Sequence, residues 1–438
     1  MEFGVTASPP TFSDLVRTFA RIGCLSFGGP AGQIALMHRE VVEERQWVSE
    51  ENYLHALNFC HFLPGPEAQQ LATWIGWKLH GWCGGLAAGL LFVVPGTAVI
   101  LALSVLYAVA ADLHWFAALF LGIKAAVLAI VLQALIRIAG RALSTRFKQV
   151  LALAAFVALA LLALPFPLVV LGAGALGFAV AALRPDWLGI KPGGPAPALP
   201  PRPWAASLCS VLLWGTVWAA PLVLVLLTLG RDHVLWQIGA FFSQLAVVTF
   251  GGAYAVLAYM AQEAVGTFGW LSTGEMADGL GLAETTPGPL ILVTQFVGYL
   301  AAFRAPEPFS PLVAGLLGAM LTTWVTFAPC FLWIFTFAPW IERLEQAVKL
   351  KGALAAVTAA VVGVIGSLAL WFAGHLLFAR FGSGRPADLP FDLPVWASFD
   401  WRAALLALLS AGLLFGLKWG VVRVLAVAAL GGLALAQF

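Results

Sequence analysis

Charge is scarce in this sequence. Its 438 residues include 23 Lys and Arg against 21 Asp and Glu, a tenth of the chain, for a net charge of +2. That excludes a nucleic-acid binder, which needs a basic stripe to replace the counterions of a phosphate backbone. Cysteine is scarcer still. Cys24, Cys60, Cys83, Cys209 and Cys330 stand far apart, with no Cys-x-x-Cys pair and no His at ligand spacing, so neither disulfides, a metal nor another cofactor is expected. Walker, His-Glu-x-x-His and Gly-x-Ser-x-Gly motifs are missing, and with them any enzyme signature. A membrane-embedded enzyme acting on lipid-linked phosphates would want clustered acids or His to hold metal, whereas the acids here are dispersed. Met1 to Pro10 lack a basic region ahead of a short apolar run and a small-residue cleavage site, so no removable signal peptide is expected.

What fills the chain is apolar: 61% of the residues, far more than a water-soluble domain carries. A bilayer-spanning helix needs about 20 apolar residues. Such stretches run from Leu86 to Ala111, Trp115 to Ile138, Leu151 to Leu164, Leu168 to Leu183, Trp204 to Leu229, Leu312 to Pro339, Leu350 to Phe378, Ala403 to Leu417 and Val421 to Phe438. The expected fold class is therefore an all-α polytopic membrane protein.

The chain also contains itself twice. Ser26-Phe-Gly-Gly-Pro-Ala-Gly-Gln33 aligns with Thr249-Phe-Gly-Gly-Ala-Tyr-Ala-Val256 without a gap. The same offset pairs Met37 with Met260, Glu40 with Glu263, Trp47 with Trp270, Ser49 with Ser272, and Pro64-Gly-Pro66 with Pro287-Gly-Pro289. After small insertions Val94-Pro95 matches Ala328-Pro329, and Gly122 to Val127 matches Gly352 to Val357. The division is 1–184, a first transport repeat; 185–203, a Pro/Gly-rich cytoplasmic linker; 204–229, an unpaired connecting transmembrane helix; and 230–438, the second repeat.

One unpaired crossing would invert the second copy relative to the first. Basic residues agree with that, because cytoplasmic loops collect Lys and Arg. In the first copy Asp112-Leu-His114 has none and the next loop holds Arg137, Arg141, Arg146 and Lys148. In the second copy Arg343, Lys349 and Lys351 stand opposite Asp112, while the loop 380–402 balances its Arg with Asp388, Asp392 and Asp400. Arg184, Lys191, Arg202 and Lys418 fall on the same side as those clusters. The pattern predicts two inverted-topology homologous repeats with broken, re-entrant helices and a cytoplasmic N-terminus, a design of secondary transporters.

The breaks are candidate chemistry. Glycine lets a chain leave helical geometry and Pro suits the first turn of a new helix. Ser26, Phe27, Gly28, Gly29, Pro30, Gly32 and Gln33, with Thr249, Gly251 and Gly252, form one pair of breaks. Pro64, Gly65 and Pro66 with Pro287, Gly288 and Pro289 form the other. Half-helix N-termini at membrane depth favour anions, which predicts an anion site; taken singly, such glycines also serve close helix packing. Lys124, deep in the span Trp115 to Ile138, is expected to supply a fixed positive charge, its aligned position being Leu354. Glu40 and Glu263 are candidates either for proton coupling or for ion pairs, with Arg39 and Lys78 as nearby partners. His61 and Glu284, each three residues before a Pro-Gly-Pro, are titratable groups placed to sense occupancy or to cap a helix. Gln69, Gln70, Thr285, Thr286, Thr294 and Gln295 add neutral hydrogen-bonding groups beside the breaks.

These residues, above all Ser26-Phe-Gly-Gly-Pro-x-Gly-Gln33, Met37 to Glu40, Trp47, the two Pro-Gly-Pro triplets and Thr249-Phe-Gly-Gly252, resemble the chromate ion transporter (CHR) family in its long, two-domain form. The resemblance implies a bacterial inner-membrane protein that exports chromate, a tetrahedral dianion shaped like sulfate, on the membrane's ion gradient. Its implied partners are the oxyanion, protons and the lipid bilayer, with a homodimer left open. Alternatives are a sulfate or other oxyanion carrier of the same build and a passive anion channel. Ala253 and Val256 replace Pro30 and Gln33 in the second copy, which favours one asymmetric site over two equal ones.

Overall fold

The computed structural model describes residues 10–27, 29–110, 113–190, 203–250, 253–341, 344, 347–382 and 393–436. Most of the linker, and Asp112, Arg343, Asp388 and Asp392 of the charge argument, lie outside them. Among the described residues the chain is α-helical apart from two-residue strands at Phe381–Gly382 and Leu393–Pro394. Six helical stretches among the described residues are long and apolar enough to cross a bilayer: Glu67–Ala110, Trp115–Ala142, Phe166–Leu183, Trp204–Leu229, Pro311–Trp340 and Val348–Leu377. This is a multi-pass, all-α membrane protein.

Both repeats open with the same series of elements. In the first, α1 (Phe12–Leu25) stops at Ser26, and α2 (Gly29–His38) follows and widens into a π-helical turn at Arg39–Glu44. Next come α3 (Glu50–Cys60), the Pro-Gly-Pro triplet and α4 (Glu67–Ala110). The chain leads on through α5 (His114–Ala142), α6 (Arg146–Ala160) and α7 (Phe166–Leu183) to α8 (Pro203–Leu229). In the second repeat, α9 (Val234–Val248) stops at Thr249, α10 (Ala253–Ala261) widens at Gln262–Thr267, and α11 (Thr273–Thr285) precedes the second triplet. There follow α12 (Val293–Arg304), α13 (Pro311–Phe337), α14 (Val348–Leu377), α15 (Trp401–Ala411) and α16 (Val421–Leu435).

Local chemistry repeats with the elements. Ser49 caps α3 by accepting from the Asn52 amide, and Ser272 accepts from Glu275 at the equivalent place, as N-caps do. After each π turn the chain closes alike, the Trp47 amide on the Val41 carbonyl and the Trp270 amide on the Ala264 carbonyl, each at 2.8 Å. A continuous helix of α4's length would measure about 66 Å, twice the ~30 Å hydrocarbon core. It bends instead at His80 and Gly81, whose backbone is not helical.

The chain forms two compact units, each drawing on both repeats. The first comprises Met1–Val105, Gly193–Val256 and Thr286–Ala347; the second comprises Leu106–Pro192, Leu257–Thr285 and Val348–Phe438. In the first, α13 packs against α8, α9 and α12. Its helix α8 exposes Leu208, Leu212, Leu224 and Leu227, a surface suited to lipid and not to water. In the second, α14 packs against α6 and α7, and α5 against α11, α15 and α16. There Gly177 and Ala181 of α7 meet Gly352 and Ala356 of α14, the small-residue contact that draws membrane helices together.

Candidate functional site

The first unit brings the breaks of both repeats together. Helix α1 ends with Ser26 buried and its hydroxyl donating to the Ile22 carbonyl. Helix α9 ends the same way, the Thr249 hydroxyl donating to Leu245. Each hydroxyl thus satisfies the backbone of its own last turn, leaving the main-chain carbonyl of Ser26 or Thr249 to point onward. The two triplets take up those carbonyls. The Gly65 amide donates to Thr249 at 2.9 Å, and the Gly288 amide donates to Ser26 at 2.8 Å.

Both glycines need a conformation that side chains disfavour, with φ of 115° at Gly65 and 92° at Gly288. The wall behind each is also matched. A methyl group on Gly96 would collide with the Pro287 carbonyl, and one on Gly65 would meet the Cys330 sulfur. The alignment of Val94-Pro95 with Ala328-Pro329 makes Gly96 and Cys330 equivalents.

Side-chain amides complete the lattice. Gln33 is buried and its Nε2 donates to the Gly288 carbonyl at 2.6 Å, while Gln70 Nε2 donates to the Pro64 carbonyl at 2.7 Å. Gln295 donates to Thr97 at 3.1 Å. Oε1 of Gln33, Gln70 and Gln295, and both polar atoms of Gln69, are buried without a hydrogen-bond partner among the described residues. Such groups are costly to leave unmade, so this region holds spare polar capacity. Thr285 and Thr294 spend their hydroxyls on Leu282 and Ile291 of their own turns.

Pro30, Gln33, Gly65, Pro66, Glu67, Ala68, Thr249, Pro289, Leu290 and Ile291 enclose a cavity of about 20 Å³. That is room for one water and not for a tetrahedral oxyanion. Glu67 and Ala68, in the first turn of α4, where amides have no intrahelical acceptor, line this cavity, as do Leu290 and Ile291. Glu67 is one of those lining residues, and its carboxylate lies 3.2 Å from His61 Nε2, an acid close to a site otherwise suited to an anion. A larger cavity of about 790 Å³ in the second unit is walled by residues such as Phe166, Leu368 and Trp371, with no Asp, Glu, Lys or Arg among its described lining residues. It offers an oxyanion little.

The remaining candidates fall elsewhere. Gly28, Gly251 and Gly252 lie outside the described residues. Phe27 is exposed, Gly29 opens α2, and Gly32 sits over the Phe27 carbonyl. Glu40 is wholly buried, with Arg45 at 2.9 Å and Arg21 at 3.7 Å. Arg39, one of the two expected partners, lies 3.5 Å from Glu44. Glu263 is half-buried in the matching π turn, and Glu284 is buried near the end of α11. Lys124 belongs to the second unit, where its Nζ lies 3.1 Å from Oδ1 of Asp278. Its charge is therefore compensated on the spot. Sequence reasoning missed Asp278, Glu67 and Arg45. The signal for Asp278 was present, a lone acid in the apolar run Met276 to Ala283 that needs a cation as partner.

A family model described as Chromate transporter matches residues 13–178 and 236–433, one segment in each half. The Chromate transport protein of Pseudomonas aeruginosa is 32% identical over 418 residues, 92% of each chain. The Chromate transport protein of Cupriavidus metallidurans is 30% identical over 367 residues, 82% of each chain. The Probable chromate transport protein of Synechococcus elongatus is 29% identical over 360 residues, 81% of this chain and 84% of that one. No solved structure matches the chain. The paired breaks, the apolar spans and a family match across both halves lead to one assignment: this transporter, which is not an enzyme, belongs to the chromate transporter family.

Proposed function

We propose that the protein exports chromate across the bacterial inner membrane by alternating access, driven by the membrane's ion gradient. The observation that carries this reading is the crossed pair of bonds from Gly65 to Thr249 and from Gly288 to Ser26, the first of them beside a small cavity lined by residues that start helices. A dianion is favoured there by the amides and dipoles of helix starts. Because the cavity admits only water, loading requires the half-helix ends to part. Prising apart two matched bonds, each joining one repeat to the other, gives an opening that can occur toward either side of the membrane.

In this reading residues 1–184 and 230–438 are transport repeats of opposite orientation, joined by the linker 185–203 and the helix 204–229, with the N-terminus cytoplasmic. Cysteines placed beside Arg146 and beside Asp392 should then label from opposite faces, and labelling from one face refutes the inversion. Chromate flux in everted vesicles, with a proton gradient imposed and then collapsed, tests export and its driving force together. Gradient-independent flux would indicate a passive channel. Sulfate shares the geometry and charge that the cavity can sense, so competition of sulfate against chromate flux decides which dianion is preferred.

A further inference from the structure

We propose that Asp278, held by Lys124 and Tyr107, is the group that takes up and releases a proton during the transport cycle. The proposal rests on the transport reading above and adds a residue to it. Asp278 lies on α11 with its side chain 10% exposed; Lys124 Nζ is 3.1 Å from Oδ1. The Tyr107 hydroxyl donates to Oδ2 at 2.7 Å. Tyr107 is itself fixed edge-on to Phe116 and Phe120. All three residues belong to the second unit.

Stability does not account for this trio. A buried ion pair contributes little over well-packed apolar residues of the same volume, and intramembrane charge is retained where it has work to perform. The repeat supports the same distinction. Features that build the fold occur twice, such as the capping serines and the crossed glycine bonds, whereas Lys124 aligns with Leu354 and Asp278 with His55. His55 instead faces Glu51 on its own helix. The pair thus breaks the symmetry of the chain, as a device serving one direction of a cycle must.

The proton balance is simple. A proton from water adds to a carboxylate oxygen of Asp278, Lys124 keeps its ammonium, and the pair changes from neutral to a charge of +1. The ion pair between α11 and α5 is lost, while the neutral acid still accepts from Tyr107. Helix α11 ends at Thr285, with Thr286 alone between it and Pro287-Gly288-Pro289, so the tether and the second break share one stretch of chain. One proton also offsets one of the two charges a dianion brings.

The other ionisable groups nearby are occupied or distant. On α11, Glu275 accepts from the amide and hydroxyl of Ser272, and Glu284 lies six residues on, one to two turns away. On α5, Arg137 and Arg141 stand at least ~20 Å along the axis from Lys124. On α14, Lys349 lies over the Phe178 ring and His375 bonds to the Trp371 carbonyl, with Lys351 beside the former.

Infrared difference spectra between acid and alkaline pH, taken on the purified protein in liposomes without substrate, test this directly. A protonated-carboxyl band should titrate in the wild type, vanish in Asp278→Asn and move in Tyr107→Phe. A band unchanged in Asp278→Asn overturns the proposal. In proteoliposomes, initial chromate flux should change about tenfold per pH unit on one limb in the wild type and less than about twofold in Asp278→Asn. A wild-type slope in that variant at normal abundance also overturns it. If Asp278→Asn does not reach the membrane, Asp278→Glu should restore the slope with a displaced midpoint, and an undisplaced midpoint counts against the proposal. Should the wild type move no chromate, the transport reading fails, while the infrared result still decides the titration of Asp278.

Discussion

The Gly65 amide donates to the Thr249 carbonyl across 2.9 Å, and the aligned residues Gly288 and Ser26 make the same bond at 2.8 Å. Each repeat therefore supplies the donor for one bond and the acceptor for the other. A single repeat could form neither. This explains in physical terms why the motif must occur twice, since the bare carbonyl where one helix stops is satisfied only by the glycine of the other copy.

The glycines are the first place to test that relationship. Gly65→Ala and Gly288→Ala each force a side chain into a positive-φ conformation, at a cost of about 1–2 kcal/mol. The expected outcome is loss of most chromate flux with modest loss of membrane abundance. Flux equal to wild type in both variants would show that the crossed bonds are dispensable.

Gly96 tests the wall behind them. Its Cα touches the second triplet so closely that a methyl group would collide with the Pro287 carbonyl. Gly96→Ala should lower thermal stability in detergent by about 1–3 kcal/mol, the range for overpacking, and depress flux. At the equivalent position Cys330 is fully buried, and Cys330→Ser, which buries a hydroxyl in its place, should cost about 1–3 kcal/mol.

Much of this was legible in the sequence and some was not. Register between Ser26-Phe-Gly-Gly and Thr249-Phe-Gly-Gly marked where helices stop, because glycine and proline act locally. The apolar runs marked the long helices for the same reason. What the triplet glycines bond to was not legible, since Gly65 and Thr249 lie in different halves of the chain and the amide was expected to face a ligand. The partners of charged residues were equally hidden. Glu40 has Arg45, five residues on, because the π turn at Arg39–Glu44 shifts the helical phase; an ordinary helix would present residues three and four away. Lys124 has Asp278, on a helix of the other repeat.

Glu40 gives a stability test. Its side chain is buried and Arg45, only partly exposed, is its nearer cation; Arg21 is farther and largely in solvent, where pairing counts for little. Arg45→Ala should cost about 3–5 kcal/mol by stranding a buried carboxylate. Pairing it with Glu40→Gln should recover a good part of that loss, the coupling expected of contacting residues. Thermal unfolding of the four proteins in one detergent measures it, and additive losses would show that the two side chains do not interact.

Glu67 provides the sharpest probe of what the cavity is for. It opens α4, beside amides that lack intrahelical partners, and its carboxylate stands 3.2 Å from His61 Nε2. A carboxylate at a helix start gains from the same dipole and donors that would hold an oxyanion, so the two anions compete for one field. Glu67→Gln keeps the shape, removes the charge and should lower the KM for chromate severalfold; relief of about 1.4 kcal/mol of repulsion corresponds to tenfold. Glu67→Asp keeps the charge and should leave KM near the wild-type value. If Glu67→Gln raises KM instead, the acid assists binding through His61, and the oxyanion does not meet the first turn of α4.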